Sequence, residues 1–334
     1  MTPHCTVIAE AGVNHNGSID LAYQLIDAAA AAGVDYVKFQ TFRAEALATR
    51  AAPKAAYQQA TTGSGESQLA MLKRLELPLE AFADLAAYCA KCGVAFMSTP
   101  FDLEAANFLD GIGMAAFKVS SGDLTNTPFL RALGAKGKPV ILSSGMATLG
   151  EVEQAVQTLE SAGLAISDIT LLHCTTEYPA PAEEVNLRAM QTLRAAFPGA
   201  TIGYSDHTQG IEIPIAATAL GAQVIEKHFT LDRTMEGPDH KASLEPGELA
   251  AMVRAIRRVS AALGDGRKRP TPSELPNRAV ARKSIVAARP IAKGETLSAD
   301  NLAVRRPGNG LSPTRWDEII GTTATRDYAQ DEPL

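Results

Sequence analysis

Several things are missing from this sequence, and each absence narrows the reading. No uninterrupted apolar run approaches the ~20 residues that a bilayer-spanning helix needs. The start of the chain, Met1-Thr2-Pro3-His4, has neither a charged n-region nor an apolar h-region, so no signal peptide is expected. Four cysteines in 334 residues do not make a disulfide framework. Cys89 and Cys92 have C-x-x-C spacing, but they sit in a helical pattern with no second pair. They read as buried thiols one helical turn apart, not as a metal or redox site. The net charge of −6 leaves no general basic footprint for nucleic acid. The one dense basic run, Arg267-Lys268-Arg269, lies beside Pro270 and Pro272 and reads as a solvated linker. The expectation is a cytoplasmic protein that binds neither nucleic acid nor membrane.

The chain does have the means to build a core: 46% of its residues are hydrophobic and 20% charged. Its length suits one large domain, or a large one and a small one. Up to about residue 265, short apolar runs alternate with helical patterns, the mark of βα units and a parallel sheet. The strand candidates are Thr6–Ala9, Tyr36–Gln40, Ala95–Ser98, Ala116–Val119, Val140–Ser143, Ile169–His173, Thr201–Tyr204 and Val224–His228. Between them, Thr148 and Glu151 form a capping box, and Val152, Ala155, Val156 and Leu159 share one helix face up to Gly163. Leu21, Leu25, Ile26 and Ala29 repeat this up to Gly33, and Leu249, Met252, Val253, Ile256 and Leu263 up to Gly264.

Eight strands alternating with helices fit an α/β TIM barrel, (β/α)8, which typically takes about 250 residues. An open doubly wound sheet is the alternative, but no G-x-G-x-x-G follows the first strand to support a dinucleotide fold. Residues 264–283 are Pro-rich and charged. The barrel is therefore assigned to 1–265, a linker to 266–283 and a small module to 284–334. In that module Ser284–Ala288, Gly294–Leu297 and Leu302–Arg305 read as short β segments. A module of about fifty residues is small for independent stability, so it is expected to lean on the barrel or on a partner chain.

Side chains alternate faces along a strand. Lys38 and Gln40 therefore oppose the apolar Val37 and Phe39, Lys118 opposes Phe117 and Val119, and Glu226 shares a face with His228. Glu10 closes the first strand. Turning the apolar sets toward the helices turns Glu10, Lys38, Gln40, Lys118, Glu226 and His228 inward at the C-terminal mouth, where barrel enzymes keep their chemistry. Any one of these alone is an ordinary buried polar residue with a partner. So many at corresponding strand ends point to use, because buried charges are costly unless paired. Two inward lysines imply an anionic ligand, a phosphate or a carboxylate. His207 and His228 end the last two strands, and two imidazoles near an acid suit a divalent transition metal.

At these residues the sequence resembles the bacterial sialic acid (nonulosonic acid) synthase family, whose members include N-acetylneuraminate and N,N'-diacetyllegionaminate synthases. The resemblance covers nearly the whole chain. It runs through IAEAGVNHNG (Ile8–Gly17), VKFQTF (Val37–Phe42), STPFD (Ser98–Asp102), FKVSSGDLTN (Phe117–Asn126), ILSSGMAT (Ile141–Thr148) and LLHCTTEYPAP (Leu171–Pro181). It continues through GYSDHT (Gly203–Thr208), EKHFTLDR (Glu226–Arg233) and GPDHKASLEP (Gly237–Pro246). The tail resembles the antifreeze-like (SAF) module of the same enzymes in RKSIVAARPIAKGE (Arg282–Glu295) and VRRPGNG (Val304–Gly310).

The resemblance implies a TIM barrel with a β-clip SAF domain, in a domain-swapped homodimer whose SAF modules cap each other's barrels. It implies a divalent metal on His207 and His228, manganese, with magnesium or cobalt as alternatives. Lys38, Thr99, Lys118, Ser121, Ser143 and Ser205 would hold phosphoenolpyruvate. Gln40, Thr176, Tyr178 and Asp239 would face an N-acyl amino sugar, and Arg306 of the partner would reach its N-acyl group. Glu10, Asp239 and Glu226 are the candidate catalytic carboxyls. Ser120-Ser121-Gly122-Asp123 departs from the G-S-G-E of the neuraminate-making members, while Thr176-Glu177 and Gly65-Glu66-Ser67-Gln68 look more like the legionaminate type. The rival readings are another phosphoenolpyruvate-using 3-deoxy-sugar acid synthase, a metal-dependent aldolase on the same barrel, or a tail that binds ice or another ligand.

Overall fold

In the computed structural model the described residues are 4–63 and 65–334; Met1–Pro3, part of the stretch read for a signal peptide, lie outside them. The chain divides into two compact units, one up to Asp265 and one from Gly266 to Leu334.

The first unit holds eight strands: β1 Thr6–Gly12, β2 Tyr36–Thr41, β3 Ala95–Pro100, β4 Phe117–Val119, β5 Val140–Ser143, β6 Ile169–Cys174, β7 Thr201–Asp206 and β8 Val224–His228. All pair in parallel, in the order β3-β2-β1-β8-β7-β6-β5-β4. The ring is a nearly closed (β/α)8 barrel. Its seam lies between β3 and β4, where the Ser98 amide turns to Met114 Sδ at 3.2 Å.

The helices form where the sequence signals them. Ser18 caps Ile19–Ala32, which ends on Gly33 in the left-handed region at φ 78°. Thr148 and Glu151 make the expected capping box at the head of Leu149–Ser161. Their apolar stripes meet the outward faces of the strands. Val7, Val37, Phe39, Phe117 and Leu171 pack there with Leu25, Ile26, Leu85, Val156 and Ile256 in one continuous core. This layer also contains a buried ion pair, Lys227 with Asp206, supported by the Tyr204 hydroxyl on Asp206 at 3.0 Å. Lys227 also donates to the Thr208 carbonyl. With its partners inside the wall, this pair is structural.

Inside the barrel, a plug of apolar side chains fills the lower half: Ile8, Met97, Ile141, Leu172 and Val224, with Tyr36 against them. Gly203 takes the corresponding inward place on β7. A Cβ there would lie 2.4 Å from the Val224 carbonyl and 2.6 Å from Leu172 Cδ2. The glycine is therefore required by volume, since its neighbours already fill the space a side chain would need.

The second unit has one antiparallel pair, β9 Ser284–Ala287 with β10 Leu302–Arg305. Its small core gathers Ile285, Ala287, Ile291, Leu297, Leu302 and Ala324. Gly294–Leu297, expected as a β segment, forms no strand. Only Thr296 bridges, to Thr323, because the chain turns at Gly294 (φ 91°) and the Glu295 carboxylate folds back to accept from the Ala292 amide. The stretch read as linker carries a helix, Glu274–Ala281, with no buried residue. Among the described residues, no helix is long and apolar enough to cross a membrane. The four cysteines are free. Cys89 is buried as expected. Cys92 is only partly so, because its sulfur turns out to Asp27 at 3.7 Å.

The plug yields a stability test. Gly203→Ala overfills it and is expected to destabilise the protein by about 1–3 kcal/mol in denaturant unfolding, since the obstructing atoms include backbone. An unchanged midpoint and slope would show that the plug has slack.

Candidate active site

Directly above the plug, the inward residues change from apolar to charged. Two positions on from Ile8, Tyr36, Met97, Ile141, Leu172, Gly203 and Val224 stand Glu10, Lys38, Thr99, Ser143, Cys174, Ser205 and Glu226, and Lys118 enters from β4. The strand register places Glu10 between Lys38 on β2 and His228 on β8. Lys38 Nζ lies 2.6 Å from Glu10 Oε2 and donates to Thr99 Oγ1 at 3.0 Å. Across the barrel, Lys118 Nζ donates to Glu226 Oε1 at 3.1 Å, and the Ser205 hydroxyl donates to the same oxygen at 3.0 Å. Lys38 lies 3.8 Å from the other Glu226 oxygen, so the two pairs form one network. Gln40 donates to Glu10 Oε1 at 3.2 Å.

These groups form the floor of a cavity of about 430 Å³. His207, His228, Tyr178, Ser121, Thr176, Gln40 and Asp239 line it further. The Tyr178 ring lies 4.1 Å, centroid to centroid, from His207 and meets His228 edge-on at 5.5 Å. The two imidazoles are 5.4 Å apart. Arg306 belongs to the second unit, where it follows β10 and is exposed. The expected inward set therefore does converge on one cavity.

Apart from Gln68, whose stretch Gly65–Gln68 was expected near the sugar pocket, a further wall was not foreseen from the sequence. Tyr57 and Gln58, from the helix Ala56–Thr62, and Gln68, Met71, Leu72 and Leu75, from Gln68–Leu75, line it together with Val13 and Phe101. These residues lie in the long connection after β2, where no strand alternation marks them. Cys174 was also missed, although its spacing from Leu172 on β6 signals an inward position.

Burial and neighbouring charge set the protonation states. Burial pushes the Glu10 carboxyl upward, with Lys38 opposing. Burial acts the same way on Glu226, but Lys118 and Lys38 outweigh it and hold the group down at about 2. Burial and the charge of Glu10 raise Asp239 to about 7. Lys118 is lowered by burial, while the acids around Lys38 outweigh burial and raise it. Burial lowers His207 to about 4 and also depresses His228, to which His207 and Lys38 add.

Apart from Glu10 Oε2, which has the Lys38 ammonium at 2.6 Å, four buried polar atoms on this cavity have no hydrogen-bond partner: Ser143 Oγ, Thr176 Oγ1, Glu226 Oε2 and His228 Nδ1. Such atoms are costly unless a ligand completes them. The two histidines also suit a metal. Both are held neutral, and His207 spends its Nδ1 proton on the Thr175 carbonyl, which leaves Nε2 as a lone-pair donor. His228 Nδ1 is 3.9 Å from Asp239 Oδ2, beyond hydrogen-bond range. Among the described residues, no group of three or more His, Cys, Asp or Glu is arranged to hold a metal. The donor set is thus two imidazoles, which fits an open, exchangeable ion and not a closed structural site.

Comparison with known proteins agrees with this geometry. The NeuB family profile matches residues 25–268, and the SAF domain profile matches residues 282–334. The chain is 53% identical to N,N'-diacetyllegionaminic acid synthase of Campylobacter jejuni, over 98% of this chain and 97% of that protein. It is 45% identical to the protein of that name from Legionella pneumophila, over 99% and 93% of the two chains. Among solved structures, the N-acetylneuraminic acid synthetase of Leptospira borgpetersenii superposes with a TM-score of 0.72 at 37% identity, covering 82% of this chain and 90% of that one. With a profile that takes in most of its length and relatives this similar from end to end, the chain belongs to the NeuB family and carries a SAF domain after the barrel.

Proposed function

We propose that this protein condenses phosphoenolpyruvate with an N-acyl mannosamine-type sugar to give a nonulosonic acid and phosphate. The observation that carries the reading is the cavity floor. Two buried lysines stand beside hydroxyls that lack partners, directly under a pair of neutral histidines. A small ligand with a phosphate and a carboxylate supplies the anionic charge and acceptors that this floor takes.

In this reading Lys38 and Lys118, with Thr99, Ser121, Ser143 and Ser205, bind phosphoenolpyruvate on the floor. Gln40, Thr176, Tyr178 and Asp239 face the open-chain sugar above it. A divalent metal held by His207 and His228, manganese in our reading, supplies Lewis-acid polarisation of the aldehyde when bound. The methylene carbon C3 of phosphoenolpyruvate attacks the aldehyde carbon, forming the new C–C bond and leaving positive charge at C2. A water oriented by Glu10 adds at C2, and phosphate departs with cleavage of its C–O bond, giving the 2-keto acid. Glu10 and Asp239, the carboxyls that burial raises, carry the protons. Glu226, held ionised by two lysines, supports their positions and is a poor proton carrier at neutral pH. Most of the lysines' contribution is positioning and charge stabilisation.

The sugar is read as 2,4-diacetamido-2,4,6-trideoxymannose, and the product as N,N'-diacetyllegionaminate. The named relatives, Thr176-Glu177 and the Gly65–Gln68 stretch favour this type. The side chains of Val13, Met71, Leu72, Leu75 and Phe101 in the same wall offer apolar surface to a C6 methyl and acetamido methyls. The protein is further read as a cytoplasmic homodimer in which the partner's SAF domain covers the mouth and brings Arg306 to the N-acyl group. Leu103, Met146 and Leu149, exposed just past β3 and β5, support such a cover.

Three measurements test this reading. Phosphate release from phosphoenolpyruvate is measured with manganese, offering this sugar and N-acetylmannosamine in parallel. Turnover with a higher kcat/KM for the diacetamido sugar is expected; silence with both, in folded and metal-loaded protein, would remove the synthase assignment. Chelation should abolish turnover, and manganese should restore it, whereas full activity after exhaustive chelation excludes the metal. Arg306→Ala should raise the sugar's KM by about tenfold, in line with loss of a charged hydrogen bond. It should leave the dimer and phosphoenolpyruvate binding intact, and an unmoved sugar KM returns Arg306 to the surface.

A further inference from the structure

The turn after β1, Val13-Asn14-His15-Asn16-Gly17, is prominent in the sequence, yet Asn14 and Asn16 do not line the cavity. Both instead reach the loop that leaves β8 at His228 and returns to it at Leu244, the loop that carries Asp239.

Asn14 is buried, and its amide nitrogen donates to the Phe229 carbonyl at 2.8 Å and to Ser243 Oγ at 2.9 Å. The Phe229 carbonyl only accepts, so this amide has one permitted orientation. The Ser243 hydroxyl then donates to the Asp239 carbonyl at 2.7 Å. The chain of bonds from Asn14 to the backbone of Asp239 therefore runs in one direction.

Asn16 grips the same loop from its other side. Its amide nitrogen donates to the Glu236 carbonyl at 2.9 Å, and its oxygen faces His240 Nε2 at 3.3 Å. Gly237 lies between them. A Cβ there would come within 2.6 Å of the His240 ring and 2.9 Å of Asn16 Oδ1. Asn16 itself holds φ at 51°, a left-handed conformation that asparagine tolerates better than most residues. Gly17, at φ 75°, brings the turn against the far wall, where a Cβ would meet the Arg74 carbonyl at 2.3 Å.

Asp239 is thus held at its own carbonyl through Ser243 and, through its neighbours Glu236 and His240, by Asn16, while it lines the cavity. We infer that Asn14 and Asn16 are positioning residues that fix Asp239 over the cavity for the condensation, acting through Ser243 on one side and the Glu236–His240 segment on the other. The inference rests on the function proposed above. Lys38, Thr99 and Lys118 stand on β2, β3 and β4, which neither asparagine contacts, so loosening the clamp at Asn16 or Ser243 displaces Asp239 while the lysines keep their places.

The test is steady-state kinetics of the full, manganese-loaded protein with the diacetamido sugar. Asn16→Gly removes the clamp's side chain and keeps the left-handed backbone. Ser243→Ala cuts the other arm with the loss of a single oxygen, and it carries the test if the first variant does not fold. Each is expected to lower kcat by on the order of tenfold or more while the KM for phosphoenolpyruvate moves by less than about twofold, the pattern of a misplaced reacting group over an intact floor. Unchanged kcat in folded variants overturns the inference, as does a loss that falls on the phosphoenolpyruvate KM. A parent protein silent with both sugars removes the function and the clamp together, whereas an active parent with indifferent variants removes the clamp alone.

Discussion

The structure depends on a charge balance inside a barrel. Two lysines are held there at 3% exposure, a placement that costs several kcal/mol per ion without compensation. Glu10 and Glu226 provide that compensation, and the sharing of Glu226 between both lysines makes the four groups one unit. The balance is incomplete, because hydroxyl and carboxylate atoms around it lack partners. The Lys227–Asp206 pair in the barrel wall shows the contrast. There the carboxylate also accepts from Tyr204 and Thr208, and the ammonium also donates to a carbonyl. The wall pair is complete in itself, whereas the floor leaves hydroxyl and carboxylate atoms open to a ligand.

The floor in turn needs something to stand on. Directly beneath it the inward residues are all apolar apart from the Tyr36 hydroxyl, and Gly203 is the one place where a neighbouring strand yields its volume. The change from apolar plug to the level of the polar and charged groups takes two residues on every strand that contributes to both layers. Because a strand advances about 3.3 Å per residue, the boundary is sharp and the charged groups share one level.

Much of this was legible in the sequence because it follows a period of two. Once Val37 and Phe39 are set against helices, Lys38 and Gln40 have nowhere to go but inward, and the same holds for Lys118 between Phe117 and Val119. The eight strands and the Thr148 capping box are local signals of the same kind, and both appear where expected. What escaped depends on long-range geometry. The wall from Tyr57 to Leu75 comes from short helices in a loop, whose approach to the cavity is set by packing on Val13 and Phe101. Gly203 has an ordinary strand conformation, and only the bulk of Leu172 and Val224 explains it. The β reading of Gly294–Leu297 failed because a turn residue and a carboxylate that folds back outweighed the local apolar pattern. The likeness to known synthases named a chemistry for the histidines that their spacing alone left open.

The plug has a consequence for traffic. The apolar plug closes the barrel below the lysines, so on the function proposed above both substrates come in from the mouth, the sugar over the floor. On the function proposed above, the compound on the lysine floor has to arrive before the sugar that lies over it. The phosphate formed on that floor cannot leave while the nine-carbon product still blocks the way. On that reading, order of addition and order of release follow from a few buried methyl groups and one absent side chain, far from any reacting atom.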